Sequence, residues 1–352
     1  MKNVVILGDS DLASTKSLQK GLELKNNLKV FNLSIGATTS SHKIIELKLK
    51  RNKEIIDKAD LIIYHSNAND SRYFISPKIA YREINWAFKE LYFCSKKVLI
   101  CILPSYYSQY TAIIENIQRQ LASLYGFSVI DWSIDMNESY IIKFLLRDNL
   151  HFFDFVLRNI GVSISENIDK FLPSKYLNIN NDNPQFVTCL MNEVKLDRNC
   201  ETREIEWLGQ ICYNVYILKK DNKLKFPKKY YGYNLIAIET HNLNWAAMSS
   251  LVIKDDDRNT VFLARPILNV KSLNNPIKIN KNLTMQYNYT NNLENVDKVY
   301  PWSMPEGQKS LGYIGLIGFL LASPEGNYYT EEIDFEALAN ENIKIPEEYD
   351  FN

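Results

Sequence analysis

Short apolar segments alternate with longer amphipathic stretches over the first 171 residues, and this alternation constrains the fold more than any other feature. The apolar segments are rich in β-branched residues and end at turn-forming residues, which predicts β-strands at 4–7, 30–35, 61–65, 98–103 and 128–131. The stretches beside them have helical apolar spacing, which predicts helices at 11–24, 43–58, 77–94, 106–125 and 152–171. Strands separated by helices form parallel sheets covered on both faces. We therefore expect residues 1–172 to form an α/β domain with a five-stranded parallel sheet.

The pattern changes after residue 172. Residues 178–184 are rich in Asn and lack apolar periodicity, which predicts a linker. Short strand-like segments punctuated by turn residues follow, and they predict a β-rich second domain at 185–330, an antiparallel sandwich or barrel. Residues 331–352 are rich in Asp and Glu and predict a loosely packed acidic tail.

The charge balance of the chain argues against several classes of partner. Among 352 residues, Lys and Arg total 41 and so do Asp and Glu, so no global field attracts nucleic acid or an anionic membrane. The apolar run at 311–322 is broken by glycines and is well short of the roughly 20 residues that a membrane-spanning helix needs. No secretory signal is visible, which favours a cytoplasmic location. The sequence does not indicate the oligomeric state.

The five cysteines show no Cys-x-x-Cys spacing and are odd in number: Cys94, Cys101, Cys189, Cys200 and Cys212. This usage argues against a disulfide framework and against a structural zinc site. We expect reduced, mostly buried thiols, no metal site and no organic cofactor.

A serine stands at a tight turn directly after the first predicted strand, in Gly8-Asp9-Ser10. The turn places the hydroxyl at the carboxyl edge of a parallel sheet, where open α/β sheets bind ligands. A nucleophilic serine needs an imidazole to accept its proton and a carboxylate to orient that imidazole, and His151 and Asp148 can supply both from one loop. The sequence therefore predicts a serine hydrolase.

The order of four motifs resembles that of the SGNH (GDSL-like) hydrolases. The motifs are Gly8-Asp9-Ser10, then Gly36 after the second strand, Asn67-Ala68-Asn69-Asp70 after the third, and Asp148-x-x-His151 before the last helix. The resemblance covers about residues 1–171 and leaves the C-terminal half unexplained. It implies a flavodoxin-like sheet and hydrolysis of an ester substrate.

The resemblance also implies a role for each residue. Ser10 would be the nucleophile, His151 the general base and then the general acid, and Asp148 the group that orients His151. The oxyanion donors would be the backbone N–H groups of Ser10 and Gly36 and the side-chain amide of Asn69.

Several residues near these motifs have more than one interpretation. Asn67 stands where the family commonly has glycine. Its side chain would displace the Asn69 loop or narrow the substrate channel, or the residue would adopt the left-handed backbone conformation that glycine would take. Asp9 either caps a helix or supports the active site. We expect Asp70 to support its loop through hydrogen bonds. His65 lies within a predicted strand, has no partner visible from spacing, and is expected to be a buried structural histidine.

The aromatic residues of the second half suggest carbohydrate binding. Trp245 and Trp302 would offer flat faces to sugar rings, or would fill the core of the β-rich domain. We expect an esterase that removes O-acetyl or other short acyl groups from a small-molecule or glycan substrate. Two alternatives stay open, a sugar O-acyltransferase that uses the same triad and a catalytically silent carbohydrate-binding protein.

Overall fold

The chain divides into two compact units in the computed structural model. Unit 1 comprises Met1–Asn183 together with Asn327–Asn352, and unit 2 comprises Pro184–Gly326. The structure describes residues 1–24, 27–74, 76–105, 110–133, 142–148, 150–174, 178–207, 211–243, 248–256, 258–264, 267–297, 311–329 and 332–351. No helix in these ranges is long and apolar enough to cross a membrane.

Unit 1 is built on a five-stranded parallel sheet. Its strands are β1 Lys2–Leu7, β2 Leu28–Asn32, β3 Leu61–Tyr64, β4 Lys97–Ile102 and β5 Ser128–Asp131. They lie in the order β2-β1-β3-β4-β5, and all four pairings are parallel. The order reverses between β1 and β3, and such a reversal is where open α/β sheets bind ligands at their carboxyl edge.

Ten described helices accompany this sheet. They are α1 Ser10–Ala13, α2 Leu18–Glu23, α3 Ser40–Lys48, α4 Lys53–Asp57, α5 Asn67–Tyr73, α6 Pro77–Phe93, α7 Thr111–Tyr125, α8 Ile142–Leu145, α9 Asp154–Asn167 and α10 Phe335–Asn340. Apolar side chains of β1, β3 and β4 form a buried core with those of α2 and α9. This packing explains the helical apolar spacing of the sequence.

The predicted flavodoxin-like fold is confirmed, and the differences are local. The predicted helix at 11–24 is divided into α1 and α2, and the one at 43–58 into α3 and α4. Helix α5 was not expected, because Asn, Asp and Ser favour turns over helix interiors. Its side chains are instead held by hydrogen bonds to neighbouring elements.

Unit 2 is an antiparallel sandwich. Its strands are β6 Phe186–Leu190, β7 Lys195–Leu196, β8 Glu201–Trp207, β9 Ile211–Leu218, β10 Lys223–Lys225, β11 Asn234–Asn242, β12 Ser249–Lys254, β13 Asn259–Ala264, β14 Ile267–Lys278, β15 Thr284–Tyr287 and β16 Ile314–Ala322. One sheet has the order β13-β12-β15-β10-β7 and the other β14-β11-β16-β9-β8, with β6 also paired to β16. Leu251 and Met285 of the first sheet share one buried core with Leu235 and Phe319 of the second. The predicted β-rich, sandwich-like architecture is therefore confirmed.

The C-terminal segment corrects the prediction of a loosely packed acidic tail. Leu338 of α10 is buried, and its carbonyl accepts a hydrogen bond of 2.6 Å from Nδ2 of Asn116. Tyr349 is also buried, and the ring of Phe351 lies 4.7 Å from that of Phe171. Apolar residues between the acidic ones pack against the rest of unit 1. Charge composition alone does not reveal such anchoring side chains.

Candidate active site

Ser10, His151 and Asp148 form a continuous chain of short contacts. His151 Nε2 lies 2.9 Å from Ser10 Oγ, and His151 Nδ1 lies 2.9 Å from both carboxylate oxygens of Asp148. The Asp148 Oδ1 atom also accepts the backbone N–H groups of Leu150 and His151, at 2.8 and 2.9 Å. The structure thus brings together the three residues that the sequence analysis named as a triad.

The hydrogen-bond partners define the tautomer of His151. A carboxylate can only accept, so the ring donates from Nδ1–H to Asp148, and Nε2 of the neutral ring accepts from the Ser10 hydroxyl. Burial would raise the pKa of Asp148, but hydrogen bonds from the His151 ring and from the two backbone N–H groups outweigh it and lower that pKa. Asp148 is therefore ionised at neutral pH and suited to orient an imidazole.

The turn that presents Ser10 is tightly packed. β1 ends at Leu7, and the N–H of Gly8 donates a 3.0 Å hydrogen bond to Ser34 Oγ. A Cβ atom on Gly8 would lie 2.6 Å from Leu12 Cβ and 2.8 Å from Ser34 Oγ, so only glycine fits without a shift. Asp9 caps α1 through a 3.2 Å hydrogen bond from the Asp11 N–H. The capping role of Asp9 is thus present.

The two residues named as additional oxyanion donors flank the serine from the neighbouring strands. Gly36 follows β2, and a Cβ atom built on it would lie 3.5 Å from Ser10 Cβ. Asn69 belongs to the first turn of α5, after β3, and its Nδ2 donates a 2.7 Å hydrogen bond to Asp9 Oδ2. An amide nitrogen carries two protons, so the second Nδ2 proton of Asn69 remains a donor for substrate. Asp9 therefore also supports the site, through Asn69.

Asn67 and Asp70 have structural roles at the same edge of the sheet. Asn67 is not among the described residues with positive φ, so the left-handed interpretation is wrong. Its Nδ2 donates to the Leu103 carbonyl at 2.6 Å, which ties the start of α5 to the end of β4. Asp70 accepts hydrogen bonds from the Ser40 N–H and hydroxyl and from the Ser66 hydroxyl, at 2.6–2.9 Å. Asp70 thereby joins α3 to α5, as a loop-supporting residue would.

His65 has two carboxylate partners that were not predicted from the sequence. The ring is fully buried, with Nε2 3.2 Å from Asp9 Oδ1 and 3.6 Å from Asp11 Oδ2. Burial would lower the pKa of the imidazolium, but the two carboxylates outweigh it and raise the pKa to about 10. The sequence did contain a signal for this contact. Asp9 and Asp11 follow β1 and His65 follows β3, and these two strands are neighbours in a flavodoxin-like sheet.

One group of described residues has the compactness of a metal-ligand set. The ligand atoms of Asp9, Asp11 and His65 lie within 4.8 Å of one another. However, both oxygens of Asp9 and one of Asp11 already accept N–H donors, and the positive charge of a protonated His65 offsets one of the two negative charges. We therefore interpret the group as a buried ion-pair cluster.

The residues named for sugar binding, Trp245 and Trp302, lie outside the described residues.

The sequence matches no protein-family model and no curated protein. Among solved structures, the chain is similar to a two-domain esterase (CEX) active on acetylated mannans, with a TM-score of 0.57 and 11% identity over 93% of this chain and 92% of that chain. A structure of CEX co-crystallized with mannopentaose gives a TM-score of 0.61 and 10% identity over 93% and 92% of the two chains. At this identity the likeness concerns the fold. An α/β fold with a flavodoxin-like sheet, followed by a β-rich part as predicted from the sequence, is thus the fold that this chain shares with a two-domain esterase.

Proposed function

We propose that this protein is a serine esterase that removes O-acetyl or other short acyl groups from a carbohydrate or glycoconjugate. The observation that carries the proposal is the hydrogen-bonded series Ser10 Oγ, His151 Nε2, His151 Nδ1 and Asp148. Such a series is the arrangement needed to activate a serine hydroxyl for attack on an ester.

The chemistry follows from the positions of these atoms. As Ser10 Oγ attacks the ester carbonyl carbon, its proton passes to His151 Nε2, and the carbonyl oxygen becomes an oxyanion. The backbone N–H groups of Ser10 and Gly36 and the amide of Asn69 are the proposed donors to that oxyanion. His151 then protonates the leaving alcohol, and an acyl-Ser10 intermediate remains. Water attacks this acyl group with His151 as base, which releases the carboxylic acid and restores Ser10.

Two observations favour a short acyl group on a bulky carrier. The triad is open to solvent, with 24% of the His151 side chain and 49% of the Asp148 side chain exposed. In addition, CEX, which shares the two-domain fold, is active on acetylated mannans. A half-buried nucleophile with partly exposed triad partners accommodates an ester on a large polar molecule, whereas a deep apolar tunnel would suit long acyl chains.

The proposal is tested by hydrolysis of 4-nitrophenyl acetate and its longer-chain homologues, followed by acetate release from acetylated oligosaccharides. Wild type should prefer acetate, and Ser10→Ala and His151→Ala should abolish turnover. A fluorophosphonate should label wild type at Ser10 and leave Ser10→Ala unlabelled. If wild type is labelled but transfers acetyl to an added sugar in preference to water, the protein is an acyltransferase. If wild type is neither labelled nor active, the esterase proposal is wrong.

A further inference from the structure

His65 is a buried histidine that lies between two parts of the candidate active site, the Asn69 side chain and the loop that carries His151. It directly follows β3, and its backbone N–H donates to the Leu7 carbonyl at the end of β1, at 3.1 Å. Its ring is completely buried. The ring is not part of the triad, so its burial beside the turn that carries Ser10 requires a separate explanation.

The partners of the ring define its charge. His65 Nδ1 lies 2.9 Å from the carbonyl oxygen of Cys101, which can only accept, so Nδ1 carries a proton. His65 Nε2 faces Asp9 Oδ1 at 3.2 Å and Asp11 Oδ2 at 3.6 Å. Nε2 makes no hydrogen bond of good geometry with the described residues, so an unprotonated Nε2 would hold a lone pair within 3.6 Å of two carboxylate oxygens with nothing to offset the repulsion. Both ring nitrogens are therefore protonated, and the side chain is an imidazolium.

Each carboxylate that faces His65 also holds one part of the candidate site. The second oxygen of Asp9 accepts the 2.7 Å hydrogen bond from Asn69, the proposed side-chain oxyanion donor. Asp11 Oδ1 accepts a 3.3 Å hydrogen bond from the backbone N–H of Phe152, the residue directly after His151. One cation thus joins the oxyanion donor on one side to the loop of the general base on the other.

The other charged groups around the cluster are consistent with a cationic ring. Lys43 of α3 is buried and adds positive charge near Asp9 and Asp70. Burial would raise the pKa of Asp9, but His65 and then Lys43 outweigh it, so Asp9 is a carboxylate at neutral pH. The cluster therefore contains two carboxylates, Asp9 in the turn after β1 and Asp11 in α1, and two cations, His65 directly after β3 and Lys43 in α3. Buried charges are tolerated when they are paired in this way.

We infer that His65 is a positioning residue of the active site, whose permanent imidazolium holds Asn69 and the His151 loop in register with Ser10 through Asp9 and Asp11. The inference rests on the proposed esterase function. It adds a residue that contacts no substrate and acts through two carboxylates.

The first test compares His65→Gln with a matched control, His42→Gln. His42 is also fully buried and has a carboxylate partner, Glu46 Oε1, at 3.4 Å, but it contacts neither Asp9 nor Asp11 in the described contacts. His65→Gln should lower kcat by about 10- to 100-fold, because a small displacement of catalytic groups has effects of this size. KM should change little, since the lost interactions act on the transition state. His42→Gln should lower thermal stability while leaving kcat near wild type.

The second test reads the charge directly and does not depend on turnover. Nitrogen-15 spectra of the ring nitrogens at about pH 8, where an ordinary histidine is neutral, should show one doubly protonated ring among the chain's four histidines. The signal should be missing in His65→Gln. The same substitution should shift the His151 ring signals, and His42→Gln should not.

The outcomes separate this inference from the proposed function. Suppose that wild type is inactive and unlabelled, that its His65 ring is protonated, and that His65→Gln shifts the His151 signals. This result would overturn the esterase proposal and would keep the inference that His65 positions the His151 loop. An active wild type with a neutral His65 ring, or a His65→Gln variant with wild-type kcat, would overturn only the inference that His65 is a positioning residue. A stoichiometric metal ion that is lost in His65→Gln would also overturn the imidazolium assignment. If His65→Gln does not fold, the wild-type spectrum still decides the charge.

Discussion

Asp9 and Asn69 are joined by a 2.7 Å hydrogen bond that links the residue before Ser10 to the first turn of α5. This contact orients the amide of Asn69 at a position that the family resemblance assigns to the oxyanion hole. Asp9 thus serves two purposes at once, since its other oxygen caps α1.

We expect Asn69→Ala to lower kcat by about 100-fold or more, the usual effect of removing one oxyanion donor. KM and the melting temperature should change much less. Asn67→Ala is the contrasting variant, because it removes the hydrogen bond to the buried Leu103 carbonyl. It should cost about 1–3 kcal/mol of unfolding free energy, with a far smaller effect on kcat. Steady-state kinetics and urea denaturation of both variants test the contrast, and equal losses of kcat would contradict it.

Asp148→Asn tests the orientation of His151. An asparagine oxygen can still accept the N–H groups of Leu150 and His151, so the loop should keep its shape. The charge that favours the productive tautomer and the imidazolium is lost, and kcat should fall by about 1,000-fold or more. Asp169→Asn, at an exposed carboxylate paired with Lys2, is the control and should leave kcat unchanged. A similar kcat for both variants would show that Asp148 does not orient the base.

Gly8→Ala should destabilise unit 1, whereas Gly36→Ala should not. The added methyl group on Gly8 meets Leu12 Cβ at 2.6 Å and Ser34 Oγ at 2.8 Å, while on Gly36 the nearest atom is Ser10 Cβ at 3.5 Å. Overpacking of this kind costs about 1–3 kcal/mol. Thermal denaturation distinguishes the variants. An unchanged melting temperature for Gly8→Ala would mean that the turn can move aside.

The C-terminal segment should contribute measurably to stability. Leu338→Ala removes a buried leucine side chain and should cost about 2–4 kcal/mol. Leu124→Ala on α7, at a residue that is 51% exposed, is the matched control and should cost much less. If both substitutions had the same small effect, the segment would be loosely attached, as its acidic composition had suggested.

The raised pKa of His65 predicts a loss of stability at alkaline pH. Because folding raises this pKa to about 10, the stabilisation is complete below the ordinary pKa and disappears as the pH rises through about 10. The difference in unfolding free energy between wild type and His65→Gln should therefore shrink from about pH 7 to above about pH 10. Burial lowers the pKa of His42, so His42→Gln should show no such alkaline loss. A constant difference for His65→Gln would indicate that the ring is neutral when folded.

The chain order of the strands and the identity of the candidate triad could be predicted from the sequence. Each strand is an apolar run with clear ends. Ser10 follows the first of these ends, and Asp148 and His151 precede the last predicted helix of the α/β domain, which together with the motif order is enough to name them as a triad. Helix α5 could not be predicted in the same way. Its polar residues favour a turn by themselves, and only hydrogen bonds to distant groups, such as that from Asn67 to the Leu103 carbonyl, hold them in a helix.

The tertiary structure alone decided which charges meet and where the chain's end packs. The sequence shows Asp9, Asp11 and His65 as separate polar residues. A flavodoxin-like strand order predicts that the ends of β1 and β3 are adjacent, but periodicity reports burial and local conformation and not which side chains meet at those ends. The adjacency of β1 and β3 brings the three together and makes an apparently solitary histidine the counter-ion of two carboxylates. Likewise, the packing of Phe351 on Phe171 depends on a contact between the chain's end and a distant part of unit 1, which no local pattern encodes. The sequence by itself determined the fold class and the candidate triad, while long-range packing determined how those residues are held.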